Sequence, residues 1–245
     1  MKDSYSVILP TLNEEGNLKK VVNQIVKVFR KTIYEIIIVD DNSTDKTIEI
    51  ATNLKKKNSK IKIKVRHGKK SLVKSLNNGI QIARYNKIIW LDVDMSHPPK
   101  ELIKIKNSTQ NLDLIVFSRF LHQSKRYYAS SNYKKTFIDD LSFYLNKICQ
   151  IFLFKDFTDY TSGFICINKN IFKNYKLHGY YGDYFINLIT HCKIKKLKIK
   201  ELPFKELPRY AGYSKTTSGK VSFVIKCLFY IYATLANCIR KNLNY

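Results

Sequence analysis

The stretch KIIWLDVDMSHPP, residues 87–99, runs from the apolar residues Ile88, Ile89, Trp90 and Leu91 into two aspartates one residue apart, and closes on two prolines. The apolar run reads as a buried strand. Side chains alternate along a strand, so Asp92 and Asp94 would point the same way if it continued. Two nearby carboxylates repel each other unless a cation lies between them or they diverge into solvent. A hard divalent ion with oxygen ligands is one answer and a solvated loop is the other. The D-x-D pattern alone leaves both open.

Upstream, the chain alternates between two periods. YSVILP (5–10) and YEIIIVD (34–40) are apolar runs of strand length, the second nearly continuous, as for a strand covered on both faces. Between them Leu18, Val21, Val22, Ile25, Val26 and Phe29 recur at helical spacing, with Asn13 as expected N-cap and Glu14 and Glu15 in the first turn. STDKTIEIATNLKKK (43–57) and KSLVKSLNNGIQIAR (70–84) read as helices, and IKIKVR (61–66) alternates like a strand. PPKELIKIKN (98–107) reads as a helix with prolines at its start, and LDLIVFS (112–118) as a strand. Strands alternating with helices predict an α/β fold with a doubly wound, mainly parallel sheet. Ligands in such folds bind beyond the carboxyl ends of the strands, where PTLNEE, DDNSTD and DVDMSH all fall.

The second half reads less regularly. Aromatic residues and lysine crowd 123–155, with helical spacing in FIDDLSFYLNKICQIFLF (137–154). A strand in SGFICIN, a helix near GDYFINLITHC and a strand in IKKLKIKELPF follow. The tail from Val221 to Ile239 is strongly apolar but broken by Lys226 and Asn237. Its unbroken run of about ten residues is short of the roughly 20 that span a bilayer. We expect residues 1–220 to form the catalytic domain and 221–245 a C-terminal amphipathic helix, packed or lying at a membrane interface.

The 245 residues carry 44 Lys and Arg against 19 Asp and Glu, a net charge of +25, which favours anionic partners. No zinc spacing, helix-turn-helix signal or RNA-binding aromatic motif accompanies this charge, so nucleic acid is not the expected partner. Five cysteines without a C-x-x-C pair suggest buried thiols rather than disulfides or zinc. MKDSYSVILP enters a strand at once without a signal peptide, and a cytoplasmic, peripheral location at the inner face of a membrane is expected.

Six segments in order carry a resemblance: VILPTLNEEGNL (7–18), EIIIVDDNSTDKT (35–47), LDVDMSHPP (91–99), FSRF (117–120), DYTSGF (159–164) and LPRYAGYSKT (207–216). Together they resemble family 2 inverting glycosyltransferases of GT-A-like fold, most closely the polyprenyl-phosphate branch that includes the dolichol-phosphate mannose synthases. The resemblance implies transfer of a sugar, mannose from GDP-mannose in the first reading, to a polyprenyl phosphate. A UDP-sugar such as UDP-glucose, or a glycan hydroxyl acceptor, is the alternative. It places Pro10, Leu12, Glu14, Val39, Asp41, Asp92, Ser162 and Gly163 on the nucleotide sugar, and Asp92, Asp94 and Ser96 on Mg²⁺ or Mn²⁺. Arg119, Arg209 and Lys215 fall on the acceptor phosphate, and Asp94, Arg119 and Asp183 are the catalytic candidates. For Asp40 and Asp41, complementing a helix N-terminus is the alternative role.

The sequence departs from the family pattern at Tyr213, where an acid is usual, and at Tyr184 and Asn187, where Lys and Glu are usual. Asp183 has two readings. A general base for a sugar hydroxyl would sit there in the wider family. A phosphate acceptor, with a second pKa near 6, is already an anionic nucleophile, and Asp183 would then only cap its helix. A D-x-D phosphohydrolase is the competing enzyme class, but its nucleophile would follow the first strand of its core, not the fourth.

Overall fold

A computed structural model describes residues 4–106, 108, 111–121, 137–212 and 220–243. The chain folds into two compact units. The first comprises Met1–Gln110, Phe164–Leu177 and Glu206–Tyr213, and the second Asn111–Gly163, His178–Lys205 and Ser214–Tyr245.

In the first unit, strands β1 (Ser4–Thr11), β2 (Ile33–Asp40), β3 (Ile61–Val65), β4 (Lys87–Trp90) and β6 (Ile165–Asn168) lie in the order β3-β2-β1-β4-β6. The first four are mutually parallel, and their crossovers are helices α1 (Leu18–Phe29), α2 (Thr47–Lys57) and α3 (Leu72–Ile82). Ile36, Ile37, Ile38 and Val39 of β2 are fully buried, which explains the unbroken apolar run. β3, the edge strand, alternates because one of its faces is solvated, with Lys62 and Lys64 exposed on it. Helix α1 buries Leu18, Val21, Val22, Ile25 and Phe29, each worth roughly 1.5–3 kcal/mol when removed from water. α3 lies so close to β1 that a Cβ on Gly79 would come within 2.5 Å of Ile8 Cγ2.

Two local readings need correction. Helix α1 starts at Leu18 with Asn17 at its cap, not at Asn13, and no acid lies in its first turn. The loop before it is laced to the β2–α2 loop instead: Thr47 Oγ1 accepts from the Glu14 amide at 2.7 Å and Asp45 from the Glu15 amide at 3.1 Å. Asn13, at φ +52°, accepts from the Thr44 amide. The helix expected from Pro98 is a 3-10 turn, Pro99–Leu102, followed by one α-turn, α4 (Ile103–Lys106). Within the mainly parallel sheet β6 runs antiparallel to β4, Trp90 opposite Ile165. That brings Phe164 to the carboxyl end of β4, where its ring stacks on His97 at 5.0 Å.

In the second unit β5 (Leu114–Ser118) and β7 (Ile199–Pro203) pair in parallel. Its helices are α5 (Phe137–Phe152), α6 (Asp183–Ile194) and α7 (Lys220–Asn242). α7 packs on α5 and α6. Its inward residues Ala233, Thr234 and Asn237 are small or polar, whereas Leu228, Ile231, Tyr232, Leu235 and Ile239 are exposed. No helix among the described residues is long and apolar enough to cross a membrane. All five cysteines are free thiols, with Cys149, Cys166 and Cys192 buried and Cys227 and Cys238 partly exposed.

Candidate active site

In the first unit the polar clusters that follow β1, β2 and β4 share one edge, because these strands are adjacent and parallel. Pro10, Leu12 and Glu14 follow from β1. Glu14 is half-buried and accepts from Asn17 Nδ2 at 2.8 Å. Val39, fully buried, and Asp40 end β2, and Asp41 opens its loop. Asp40 does not complement a helix terminus. It accepts from Thr11 Oγ1 at 3.0 Å, the Ser43 amide at 2.8 Å and the Ser43 hydroxyl at 2.6 Å, so it organises the loop. Asp41 accepts from the buried Arg66 guanidinium and, at 2.5 Å, from the Ser71 amide at the cap of α3. Arg66 thus neutralises this acid from the end of β3.

The segment after β4 leaves the strand at Leu91, so alternation does not hold Asp92 and Asp94 side by side. A turn does. The Asp92 amide donates to His97 Nδ1 at 3.0 Å and the Ser96 amide to Asp94 Oδ1 at 2.9 Å, with Met95 in the left-handed region at φ +72°. A non-glycine residue there is strained and is held by the bonds around it. Asp94 is 3% exposed, and its Oδ2 pairs with Arg209 at 2.5 Å. The segment bearing Arg209 is fastened over this turn: the Leu207 amide donates to the Ser96 carbonyl and the Tyr210 amide to the Asp94 carbonyl. Asn17 Nδ2 donates to the Ala211 carbonyl, and Lys20 Nζ sits 3.2 Å from the Tyr210 ring centre.

Among the described residues no group of three or more His, Cys, Asp or Glu converges as a metal cage. Asp92, Asp94 and Ser96 nevertheless offer hard oxygens, the set that suits Mg²⁺ or Mn²⁺ when substrate phosphates and water complete the shell. The buried Asp94 already holds one cation, Arg209, so the site accommodates positive charge at that atom.

The second unit gathers a separate set. Arg119, just beyond β5, donates its amide and Nε to Asp159 Oδ2, both at 2.9 Å, and Nη2 to Asp159 Oδ1 at 2.9 Å. Nη2 also reaches Thr161 Oγ1 at 2.6 Å. Ser162 Oγ donates to the Phe117 carbonyl. Gly163 sits at φ +63°, where L residues are strained, and a Cβ there would lie 3.4 Å from the Tyr184 hydroxyl. Asp183 opens α6, and its carboxylate accepts from the Tyr181 amide at 2.5 Å and the Tyr180 amide at 3.1 Å. Asn187, one of the two departures on this helix, donates to the His178 carbonyl and accepts from Asn237 of α7 at 2.6 Å. Lys215 and Tyr213 lie outside the described residues.

Residues 6–176 match the profile of glycosyl transferase family 2. The chain belongs to that family. This glycosyl transferase family 2 member is 29% identical over 176 residues to the dolichol-phosphate mannosyltransferase of Pyrococcus furiosus, across 71% of this chain and 48% of the relative. It is 34% identical over 103 residues to the protein of the same name from Mycosarcoma maydis, across 40% of this chain and 35% of the relative. The protein of that name from Saccharomyces cerevisiae is 28% identical over 125 residues, 49% of this chain and 46% of the relative. The chain thus spans about half or less of the length of the curated relatives it matches. A glucosyl-3-phosphoglycerate synthase from Mycobacterium tuberculosis, solved with Mn²⁺, UDP and glucosyl-3-phosphoglycerate, shares the fold. Its TM-score is 0.68 at 16% identity, over 96% of this chain and 80% of that one. The family 2 fold is therefore GT-A-like, with the D-x-D turn after its fourth strand.

Four residues that sequence reasoning passed over organise this family 2 chain. His97 holds the D-x-D turn, Arg66 holds Asp41, Asp159 holds Arg119, and Glu201 of β7 accepts from the Thr158 and Asp159 amides. Asp159 was visible as the first residue of DYTSGF. His97 stands in LDVDMSHPP, five residues from its partner Asp92, whereas Arg66 and Glu201 carry no local signal, because their partners are distant in sequence.

Proposed function

We propose that the chain is an inverting glycosyltransferase that moves a sugar, mannose from GDP-mannose in the leading reading, onto a polyprenyl phosphate. The observation that carries it is the buried Asp94 in a strained turn beside the β1 and β2 loops, in a family 2 chain similar to three dolichol-phosphate mannosyltransferases. Pro10, Leu12, Glu14, Val39 and Asp41 frame the base and ribose, and Asp92, Asp94 and Ser96 would hold Mg²⁺ or Mn²⁺. A divalent ion held there would supply Lewis-acid stabilisation for the leaving nucleoside diphosphate. Ser162 and Gly163 let backbone approach the sugar. Arg119, Arg209 and Lys215 bind phosphate, which suits the planar fork of arginine. A phosphate oxygen of the acceptor bonds to the anomeric carbon as the bond to the diphosphate breaks, so configuration inverts. No proton need be removed, because the acceptor is ionised near neutrality. The two backbone amides on its carboxylate favour Asp183 as a loop cap over a general base.

The acceptor lipid implies a membrane surface. Leu228, Ile231, Tyr232, Leu235 and Ile239 on α7 and Tyr144, Ile148, Ile151 and Phe152 on α5 are exposed. An amphipathic helix with such a face lies in the interface plane, and the +25 charge favours anionic lipid. We therefore assign a peripheral position at the cytoplasmic, inner face of a membrane. The test is a panel of GDP- and UDP-sugars incubated with and without Mn²⁺ and a short polyprenyl phosphate. Nucleotide release that needs GDP-mannose, metal and lipid phosphate together supports the reading. Release only with a UDP-sugar, or only with a sugar hydroxyl acceptor, replaces it.

A further inference from the structure

Glu201 stands on β7 opposite Val116 of β5. Its side chain reaches the turn that precedes Ser162. Oε2 accepts from the Thr158 amide at 2.9 Å, and Oε1 accepts from the Thr158 hydroxyl at 2.7 Å and the Asp159 amide at 3.2 Å. The Thr158 hydroxyl lies 2.6 Å from Ser118 Oγ, and Ser118 Oγ accepts from the Phe120 amide at 3.1 Å. Because the Thr158 proton goes to Glu201, the Ser118 hydroxyl donates to Thr158. Asp159, fully buried, then takes the Arg119 amide and both edges of its guanidinium. Arg119 is therefore held at both ends. Asp159 grips its backbone and its fork, Ser118 and Phe120 flank it in the chain, and both routes lead to Glu201.

We propose that Glu201 is a positioning residue, which fixes the Thr158–Asp159 turn from β7 and through it aims the Arg119 guanidinium. The proposal rests on Arg119 as a phosphate contact for its functional consequence, but not for its geometry. Glu201 touches no reacting atom in this account. The carboxylate is held under strain: burial, with the neighbouring Asp159 charge, pushes it up to about 7 against the hydrogen bonds from Thr158 and Asp159 that pull it down. Asp159 alone faces the arginine, and Glu201 adds a second negative charge to the turn when it is ionised. A backbone-only turn would avoid this, so the acid contributes through the three donors it fixes.

The test has two readouts. The first is the Nε–H signal of Arg119 in ¹⁵N-labelled protein, whose protection from solvent exchange reports the Asp159 fork directly and needs no substrate. The second is the Michaelis constant for a short polyprenyl phosphate, measured beside that for the nucleotide sugar. Glu201→Ala is expected to lose the protection and to raise the acceptor constant about tenfold or more, with the donor constant unchanged. In an Arg119→Ala background the same change should add little, because both act through one contact. Glu201→Gln keeps one acceptor oxygen and loses the other, so a smaller shift in the same direction is expected, and it carries the test if the alanine variant does not fold. An unchanged Arg119 signal in a folded Glu201 variant overturns the proposal. So does an equal rise in both Michaelis constants, or full additivity with Arg119→Ala. A changed Arg119 signal in a protein that never uses polyprenyl phosphate supports the positioning role and sinks only the acceptor reading.

Discussion

Asp94 and Arg209 share one contact that a divalent ion would also use. The two cations compete for the same carboxylate oxygen, so Arg209→Ala should bind Mn²⁺ more tightly in the absence of nucleotide, read from the loss of the free-ion signal by electron paramagnetic resonance. Asp94→Asn should lose both Mn²⁺ binding and transfer while the fold persists, because asparagine can still accept from the Ser96 amide that shapes the turn. Unchanged Mn²⁺ affinity in both variants would remove the metal from Asp94. Asp183 makes the opposite prediction. Asparagine can still accept from the Tyr180 and Tyr181 amides, so Asp183→Asn should keep appreciable turnover, whereas loss of a general base costs on the order of 10² to 10⁴ in rate. Steady-state rates on the lipid phosphate decide between them. Glu201 adds a stability signature. Its carboxyl titrates at about 7 when folded against 4.5 when exposed, so the folded state keeps a proton that the unfolded chain has released between those values. Stability should fall as pH rises through that window, by roughly 3 kcal/mol, and level off above it. The groups that face it are Thr158, Asp159 and Tyr160 of the turn. Glu201→Gln should remove this slope in thermal midpoints measured from pH 5 to 8.

At the scale of elements, what could be seen in the sequence was what local period encodes. The run IIIV of β2 and the spacing Leu18, Val21, Val22, Ile25, Phe29 of α1 each state their own burial, and both stand as expected. The start of α1 was not legible, because the loop-to-loop bonds of Glu14 and Glu15 with Thr47 and Asp45 outweigh a good local cap. The direction of β6 was not legible either, since four residues carry no sign of parallel or antiparallel pairing. The candidate site followed the same rule. D-x-D, FSRF and DYTSGF announce themselves, but the groups that aim them are set by pairs far apart in sequence, such as Asp41 with Arg66 or Thr158 with Glu201. The usual Glu on α6 is here Asn187, and only the structure gives it a purpose, the bond that ties α6 to Asn237 of α7. Helix α7 carries a prediction of its own. Leu228, Ile231 and Leu235 are exposed, so changing all three to serine should leave the thermal midpoint nearly unchanged. The triple variant should lose co-sedimentation with anionic vesicles, and high salt should weaken the wild-type binding. Unaltered sedimentation of the variant would take α7 out of the membrane contact.

For the whole molecule, the alternation of strand and helix stands in a GT-A-like fold, and the first five of the six motifs fall within the family 2 match over residues 6–176. The excess of lysine says less, since a charge of +25 suits a phosphate substrate and an anionic surface equally. The chain passes between the two units five times, with Phe164–Leu177 and Glu206–Tyr213 returning to the first unit, so no single cut in the sequence separates the two. The central claim is transfer of a sugar with inversion onto a lipid phosphate. It is tested most directly by incubating the full chain with GDP-mannose, Mn²⁺ and a short polyprenyl phosphate, and determining the product's anomeric configuration by NMR. The account predicts a β-linked mannosyl phosphate lipid, absent with EDTA and absent from Asp94→Asn. A retained α-linkage, or hydrolysis of the donor without lipid product, would contradict it.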